Sequence, residues 1–432
     1  MKRITNEFLS KLSRGKRAYA VVALCATTAI ALPAQTFTSL FSFDFTDGAE
    51  PSALVQATNG DLYGTTAVGG AYGSDITGGT VFKIATDGTL TTLYNFCAES
   101  GCTDGSLPAA GLVQATNGNF YGTTYFGGAN CAAYGGCGTV FKITPSGTLT
   151  TLYSFCSQSG CTDGGNSSGA LIQVTDGNLY GTAQGGAYGW GTIFKITPNG
   201  ELTTLYNFCS LANCADGAYP QAGLVQATNG DLYGTTSGAS IPPCADGCGT
   251  VFKITLSGTL TTLHTFCAQG TSECPDGWSP LAALVQATNG DLYGTTNQGG
   301  AYAAGGGTVF KITPSGTLTT LHGFCSLANC ADGDQPYAGL VQATNGDLYG
   351  TTHGGGAYGL GAIFEITPGG TFTTAYSFCS QGGFPYCSDG EGSQTALVQD
   401  TNGTFYGTAG GGADRRQLFL WVDDNYFSLS EI

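Results

Sequence analysis

The chain has 432 residues, 71 of them glycine; 41% are hydrophobic, 11% aromatic and only 10% charged. That composition excludes a disordered low-complexity chain and points to many short strands joined by tight turns. Six of the 13 basic residues and one of the 29 acidic ones precede residue 35, so the remainder carries seven basic against 28 acidic groups, a net charge of −21. Such a chain repels nucleic acid and anionic membrane surfaces, and neither is expected as a partner.

Residues 1–34 read as a secretory signal peptide. Lys2, Arg3, Lys11, Arg14, Lys16 and Arg17 form a basic region, an apolar run follows from Ala18 to Leu32, and Leu32-Pro33-Ala34 offers a small-residue cleavage site. Leu24 before Cys25 argues against a lipoprotein signal, and the run is short for a membrane span. The expected location is secreted, periplasmic or cell-surface, with no membrane span once the signal is removed.

Residues 35–432 are dominated by a repeat. Leu-Val-Gln-Ala-Thr-Asn-Gly-Asp-Leu-Tyr-Gly-Thr-Thr starts at Leu54 and recurs, with small changes, at Leu112, Leu171, Leu224, Leu284, Leu340 and Leu397. Seven copies about 57 residues apart indicate a solenoid or a propeller. Each copy holds four strand-like runs. In the second these are A (Ala110–Thr116), B (Phe120–Thr124), C (Thr139–Thr144) and D (Thr148–Phe155). Asn117-Gly118 between A and B predicts a two-residue hairpin with both residues at positive φ, and Pro145-Ser146-Gly147 between C and D predicts a second tight turn. Apolar residues fall on both faces of B and C, as in Leu62-Tyr63 and Val81 with Ile84, which suits a blade packed between two neighbours. The expected fold is all-β, a seven-bladed β-propeller of four-stranded antiparallel blades.

The ends bear on closure. Phe37–Phe43 matches run D but precedes any run A, so it is expected to complete the last blade and hide the ring's edges. The competing reading gives that place to Asn425–Ile432. The segment 413–432 reads as a divergent tail.

The Asn-Gly-Asp-Leu-Tyr-Gly-Thr-Thr and Gly-Thr-Val-Phe-Lys-Ile phrases resemble the Gloeo/Verruco (GloVer) tandem repeats of secreted bacterial proteins, over residues 36 to about 412. The hairpin is also similar to regulator-type propeller repeats, where an aromatic-Gly-Thr strand follows an Asn/Asp-Gly turn. The resemblance implies a propeller and carries no activity with it.

Sixteen cysteines of the repeat region fall into close pairs: Cys97 and Cys102, Cys131 and Cys137, Cys156 and Cys161, Cys209 and Cys214, Cys244 and Cys248, Cys267 and Cys274, Cys325 and Cys330, Cys379 and Cys387. Six pairs lie in D-to-A loops and two in B-to-C loops. The first copy lacks both members of its pair, which is the pattern of bonded partners, and in an exported chain these read as local disulfides. Zinc is the alternative, but no histidine stands beside them.

Candidate chemistry is sparse. Every D-to-A loop contains Asp-Gly, at Asp47, Asp104, Asp163, Asp216, Asp276, Asp332 and Asp389. These could form an acidic circle that binds calcium or a cationic partner, or each could bond backbone in its own turn; recurrence in every copy favours the second. No cofactor is expected beyond that calcium option, and no metal. His264 and His322 replace the tyrosines of run D (Tyr94, Tyr153, Tyr206, Tyr376) and read as packing residues, while His353 is alone in a loop. No nucleophile–base arrangement or carboxylate pair can be picked out. Lys83, Lys142, Lys195, Lys253 and Lys311 in run C, with Glu365 in the sixth copy, read as solvated or ion-paired strand positions. The non-repeated aromatics are the candidate ligand contacts: Trp190, Trp278, and the tyrosines after Gly-Gly-Ala, Tyr72, Tyr188, Tyr302 and Tyr358. They either meet a ligand or pack over the glycine-rich loops.

The sequence reading is therefore a monomeric, non-catalytic extracellular binding or scaffold protein. It would use the disulfide-bearing loop face for a glycan or protein partner. The alternative is a secreted polysaccharide hydrolase or lyase with a site at the channel mouth.

Overall fold

The computed structural model describes residues 36–85, 87–130, 136–238, 248–268, 274–302, 305–381, 387–410 and 417–422. Phe37–Val422 form one compact unit; of the other, Met1–Thr36 with Asp423–Ile432, only Thr36 is described. The signal peptide and the Asn425–Ile432 alternative lie outside the described residues.

The repeat phrase builds a blade because its apolar residues leave no free face. In the second repeat the strands are A (Val113–Gln114), B (Phe120–Thr124), C (Thr139–Ile143) and D (Leu149–Ser154), all antiparallel. Every residue of B is buried, and in C only Lys142 is not. Tyr-Gly-Thr needs its glycine because a Cβ on Gly122 would meet the Phe141 ring at 2.6 Å and Leu112 at 2.9 Å. Strand A is shorter than its apolar run. The chain pairs with strand B only at Val113 and Gln114, before the turn.

The Asn-Gly turn differs from expectation. Gly118 has φ 80°, whereas Asn117 is not at positive φ. The Gly118 N–H donates to Ala115 O at 2.8 Å, and Ala115 N–H to Asn119 O at 2.9 Å. This is a three-residue connection with glycine in the left-handed position. Asn117 serves through its side chain instead: Oδ1 accepts from Asn119 N–H and Nδ2 donates to Tyr121 OH.

Neighbouring blades meet through aromatic seams. The phenylalanine ending one D strand packs against the strand C phenylalanine of the next repeat: Phe43–Phe82, Phe96–Phe141, Phe155–Phe194, Phe208–Phe252, Phe266–Phe310 and Phe324–Phe364, with centroids 5.1–5.3 Å apart. A second circle of contacts links consecutive A strands. The Thr58 N–H donates to Gln114 Oε1, and the pattern repeats at Thr116–Gln173, Thr175–Gln226, Thr228–Gln286, Thr288–Gln342 and Thr344–Gln399, at 2.8–3.0 Å. The A strands are thus innermost and the D strands outermost.

The described strands form six four-stranded sheets and one five-stranded sheet. This corrects the expectation of seven four-stranded blades. In the first repeat strand B runs on to Val68, and the entry segment Ala49–Pro51 pairs with it as an extra strand. Elsewhere the equivalent contact is a single bridge, such as Ser106 with Phe126.

The N-terminal run does close the fold. Thr36–Ser42 forms the outer strand beside Gln417–Val422, Phe405–Ala409 and Val398–Gln399. Gln417–Val422 is therefore strand C of the last repeat, within what read as a divergent tail. Thr408 Oγ1 donates to Pro51 O across the join, and Tyr406 packs in one cluster with Phe43, Leu62 and Phe82.

Candidate functional site

In an up-and-down sheet alternate connections share an end, so the D-to-A and B-to-C loops lie on one face and the tight turns on the other. The described D-to-A loops are held by buried carboxylates and disulfides. In the third repeat's D-to-A loop, Asp216 is fully buried and accepts from Tyr206 OH at 2.8 Å, Ser210 Oγ at 2.8 Å, Ser210 N–H at 2.9 Å and Leu211 N–H at 3.3 Å. Asp104, Asp163, Asp332 and Asp389 are at most 1% exposed and repeat the pattern with Tyr94, Tyr153, His322 and Tyr376. These carboxylates are structural staples, so no open acidic circle forms from them. The tyrosines answer in kind: burial first, then the hydrogen bond to the carboxylate, pushes Tyr153 and Tyr206 up to about 12.

Disulfides close the same loops. Cys97–Cys102, Cys156–Cys161, Cys209–Cys214, Cys267–Cys274, Cys325–Cys330 and Cys379–Cys387 are bonded as expected. Cys137 and Cys248 are also disulfide-bonded; their expected partners, Cys131 and Cys244, lie outside the described residues. The sulfurs of Cys137, Cys156 and Cys161 lie within 4.8 Å of one another, as do the ligand atoms of Cys325, Cys330 and Asp334. A sulfur in a disulfide is not a thiolate, so neither group offers a thiolate metal site.

The histidines do more than pack. His322 Nε2 lies 3.0 Å from Asp332 Oδ2, and the Phe372 ring stacks over His322 at 3.8 Å. Burial holds the His322 pKa below its ordinary value, against the opposing effect of Asp332. His264 makes the same contact with Asp276 at 2.9 Å, but Leu318 stands where Phe372 stands one repeat later. A cavity of about 470 Å³ opens there, lined by His264, Asp276, Pro275, Ala301, Leu318 and Thr320. The loop is also longer, with six residues between Cys267 and Cys274 where Cys97 and Cys102 have four between them. His353 Nδ1 sits 3.1 Å from Gly392 O, edge-on to Tyr337.

The predicted aromatic contacts separate into two sets. Tyr72, Tyr188, Tyr302 and Tyr358 are exposed. Tyr302 lies over Gly323 of its own D strand, near the outer rim. Trp190 packs edge-on against Tyr219 at 5.1 Å and accepts the Tyr219 N–H at 2.7 Å through its carbonyl. With Tyr188 in the same loop, these make an exposed aromatic patch where two repeats join. Trp278 is instead half-buried against the cluster containing Cys248 and Cys274. Tyr219 and the His264–Asp276 pair escaped the sequence reading. Only the longer loop and the two tyrosine-to-histidine changes marked the second.

On the opposite face the strand C lysines reach the turn aspartates: Lys83 to Asp61 at 3.4 Å, Lys253 to Asp231 and Lys311 to Asp291 at 3.8 Å. Glu365 accepts from Tyr349 OH. No described helix is long and apolar enough to cross a membrane.

The model of the Gloeobacter/Verrucomicrobia repeat matches the chain twice, over residues 26–242 and 184–419. No curated protein matches the sequence. Among solved structures, the chain is similar to the extracellular domain of a protein described as a hybrid two-component system of B. thetaiotaomicron, with 11% identity and a TM-score of 0.55 over 89% of this chain and 40% of that one. It spans well under half the length of that structure, and the likeness concerns the fold. A structure from Bacteroides uniformis described as a 6-phosphogluconolactonase aligns with 16% identity and a TM-score of 0.47, over 83% of this chain and 89% of that one. The chain belongs to the Gloeobacter/Verrucomicrobia repeat family.

Proposed function

We propose that this member of the Gloeobacter/Verrucomicrobia repeat family is a non-catalytic extracellular binding or scaffold protein, acting through the face that carries its D-to-A and B-to-C loops. Residues 1–34 are its export signal. Counting the five-stranded sheet as a blade, its repeats form a seven-bladed ring that acts as a monomer. The observation that carries this reading is the contrast between faces. The loop face varies from repeat to repeat, yet every described disulfide and the Asp staples hold it rigid. Variable loops on a rigid scaffold are where binding residues concentrate, and fixing them beforehand lowers the entropy cost of association. The Tyr188–Trp190–Tyr219 patch supplies exposed aromatic surface with little side-chain freedom left to lose. The partner is a neutral glycan or an extracellular protein, because the acidic chain disfavours anionic ligands.

The test is a binding screen of residues 35–432 against soluble glycans, cell-wall fragments and secreted proteins, with calcium present and absent. The expected result is a ligand whose binding weakens at least about tenfold in Trp190→Ala or Tyr219→Ala, the loss typical of a central aromatic contact. Binding that ignores every loop-face substitution but is lost on altering the turn face would overturn the reading.

A further inference from the structure

Each repeat enters its A strand through one residue held in the left-handed backbone region. These are Glu50 (φ 58°), Leu107 (59°), Asn166 (50°), Tyr219 (56°), Ser279 (56°) and Gln335 (55°), with Gly392 (55°) in the last repeat. Six of the seven N–H groups donate to the B-to-C loop of the preceding repeat: Leu107 to Gly78 O, Asn166 to Cys137 O, Tyr219 to Trp190 O, Ser279 to Cys248 O, Gln335 to Gly306 O and Gly392 to Leu360 O, at 2.7–3.0 Å. The backbone is thus copied from repeat to repeat while the side chain is not. Glycine takes this conformation without strain, and a side chain there is costly. Six different side chains nevertheless occupy it, in a chain whose neighbouring Leu-Val-Gln-Ala-Thr phrase is nearly invariant between its own copies. None of the six is buried.

A second set of non-repeated residues stands opposite. Tyr125, Ser237, Asn297 and His353 follow the B strands, and their N–H groups donate to the carbonyls of Leu107, Tyr219, Ser279 and Gln335 at 2.9–3.1 Å. Because the A strands are innermost, both sets lie around the axis at the loop-face end. Their chemistry is mainly amide, hydroxyl and aromatic, with aliphatic Leu107 and the imidazole of His353; Glu50 is the single carboxylate among them, and neither set contains lysine or arginine. Asn297 is 2% exposed, and its Nδ2 has no hydrogen-bond partner among the described residues. Asn297 thus lies beneath the surface, and the exposed and half-buried members of the two sets line the mouth.

We infer that this mouth binds the end of a neutral saccharide chain and that the left-handed residues set its specificity. The inference rests on the loop-face reading and deepens it. Amides and hydroxyls donate to and accept from sugar hydroxyls, and the flat Tyr125 and Tyr219 rings suit the C–H faces of a sugar. An anionic polymer would find no lysine or arginine in either set.

The test is isothermal titration of the full mature chain with hexasaccharides of β-1,4-glucan, β-1,3-glucan, β-1,4-xylan and β-mannan, and with hexagalacturonate for comparison. The variants are Tyr219→Gly, Ser279→Gly and Gln335→Gly. Glycine suits the left-handed backbone, so these chains should fold and melt close to the parent. Lys142→Ala on the turn face is the control. The expected result is binding of at least one neutral hexasaccharide in preference to hexagalacturonate, weakened about tenfold or more by at least two of the glycine variants and unchanged by Lys142→Ala. A neutral hexasaccharide that the glycine variants bind as well as the parent would overturn the mouth and leave the loop-face reading standing. Binding of no neutral hexasaccharide, or preference for hexagalacturonate, would overturn the saccharide assignment. Loss of binding only in Lys142→Ala would overturn both.

Discussion

The two faces of this propeller are built by opposite rules. The turn face varies little: its A-to-B turns are Asn-Gly or Asp-Gly, its C-to-D turns end in glycine, and three lysine–aspartate ion pairs among them are partly exposed. The loop face repeats its staples but not its side chains. Five of the seven repeated Asp carboxylates are buried and six of the seven D-to-A loops carry a disulfide, while the residues they hold in place differ from repeat to repeat. A ring can therefore be stable with uniform turns, and it keeps its variation where the backbone has been made rigid enough to present it.

The sharpest way to break this contrast is to remove one staple and one ion pair. Asp216→Ala strips a buried acceptor from Tyr206, Ser210 and Leu211, leaving several donors unpaired, and should cost about 3 kcal/mol of stability. Asp231→Ala, losing the partly exposed pair with Lys253 and a long hydrogen bond from Asn229 Nδ2, should cost less than about 0.5 kcal/mol. Denaturant unfolding of both variants measures the difference, and equal effects would dissolve the distinction between faces.

Removing a disulfide comes next. Cys156→Ser with Cys161→Ser opens a short loop and should cost about 2 kcal/mol in the chain-entropy view. The melting temperature should fall, and limited proteolysis should cut first between residues 156 and 164.

The smallest effect is in acid. The buried His322 has a lowered pKa, so below its ordinary value of 6.5 the unfolded chain binds more protons than the folded one. Stability should therefore decline as pH falls below 6.5, and level off once the folded-state pKa is passed. His322→Tyr, the residue of most other repeats, should flatten that limb of a plot of melting temperature against pH. An unchanged limb would show that His322 is not the group responsible.

Much of this fold was legible because a repeat testifies several times. Seven near-copies of Leu-Val-Gln-Ala-Thr pointed to the propeller, and Phe37–Phe43 identified its own partner by matching strand D. The five-stranded first sheet was not legible, because the extension of strand B to Val68 follows from a shortened loop without cysteines. Gln417–Val422 was missed because Leu-Phe-Leu-Trp-Val departs from the Thr-Val-Phe-Lys-Ile phrase while keeping its strand character. At the site, the disulfide pairs were readable from spacing. The structural role of the repeated Asp was readable from its recurrence, but its partner was not, since each Asp reaches back to a tyrosine or histidine ten or more residues earlier. The left-handed entry residues were hidden for a plainer reason. Sequence comparison between copies marks what stays the same, and these positions share a backbone conformation without sharing a side chain.

The most direct test of the loop face as the working surface is hydrogen–deuterium exchange of residues 35–432 with and without the neutral hexasaccharide they bind best. Slowed exchange is predicted in the entry segments 105–109, 217–220 and 333–337, with no change in the turns 115–119 and 145–148. Protection confined to the turns would contradict the account.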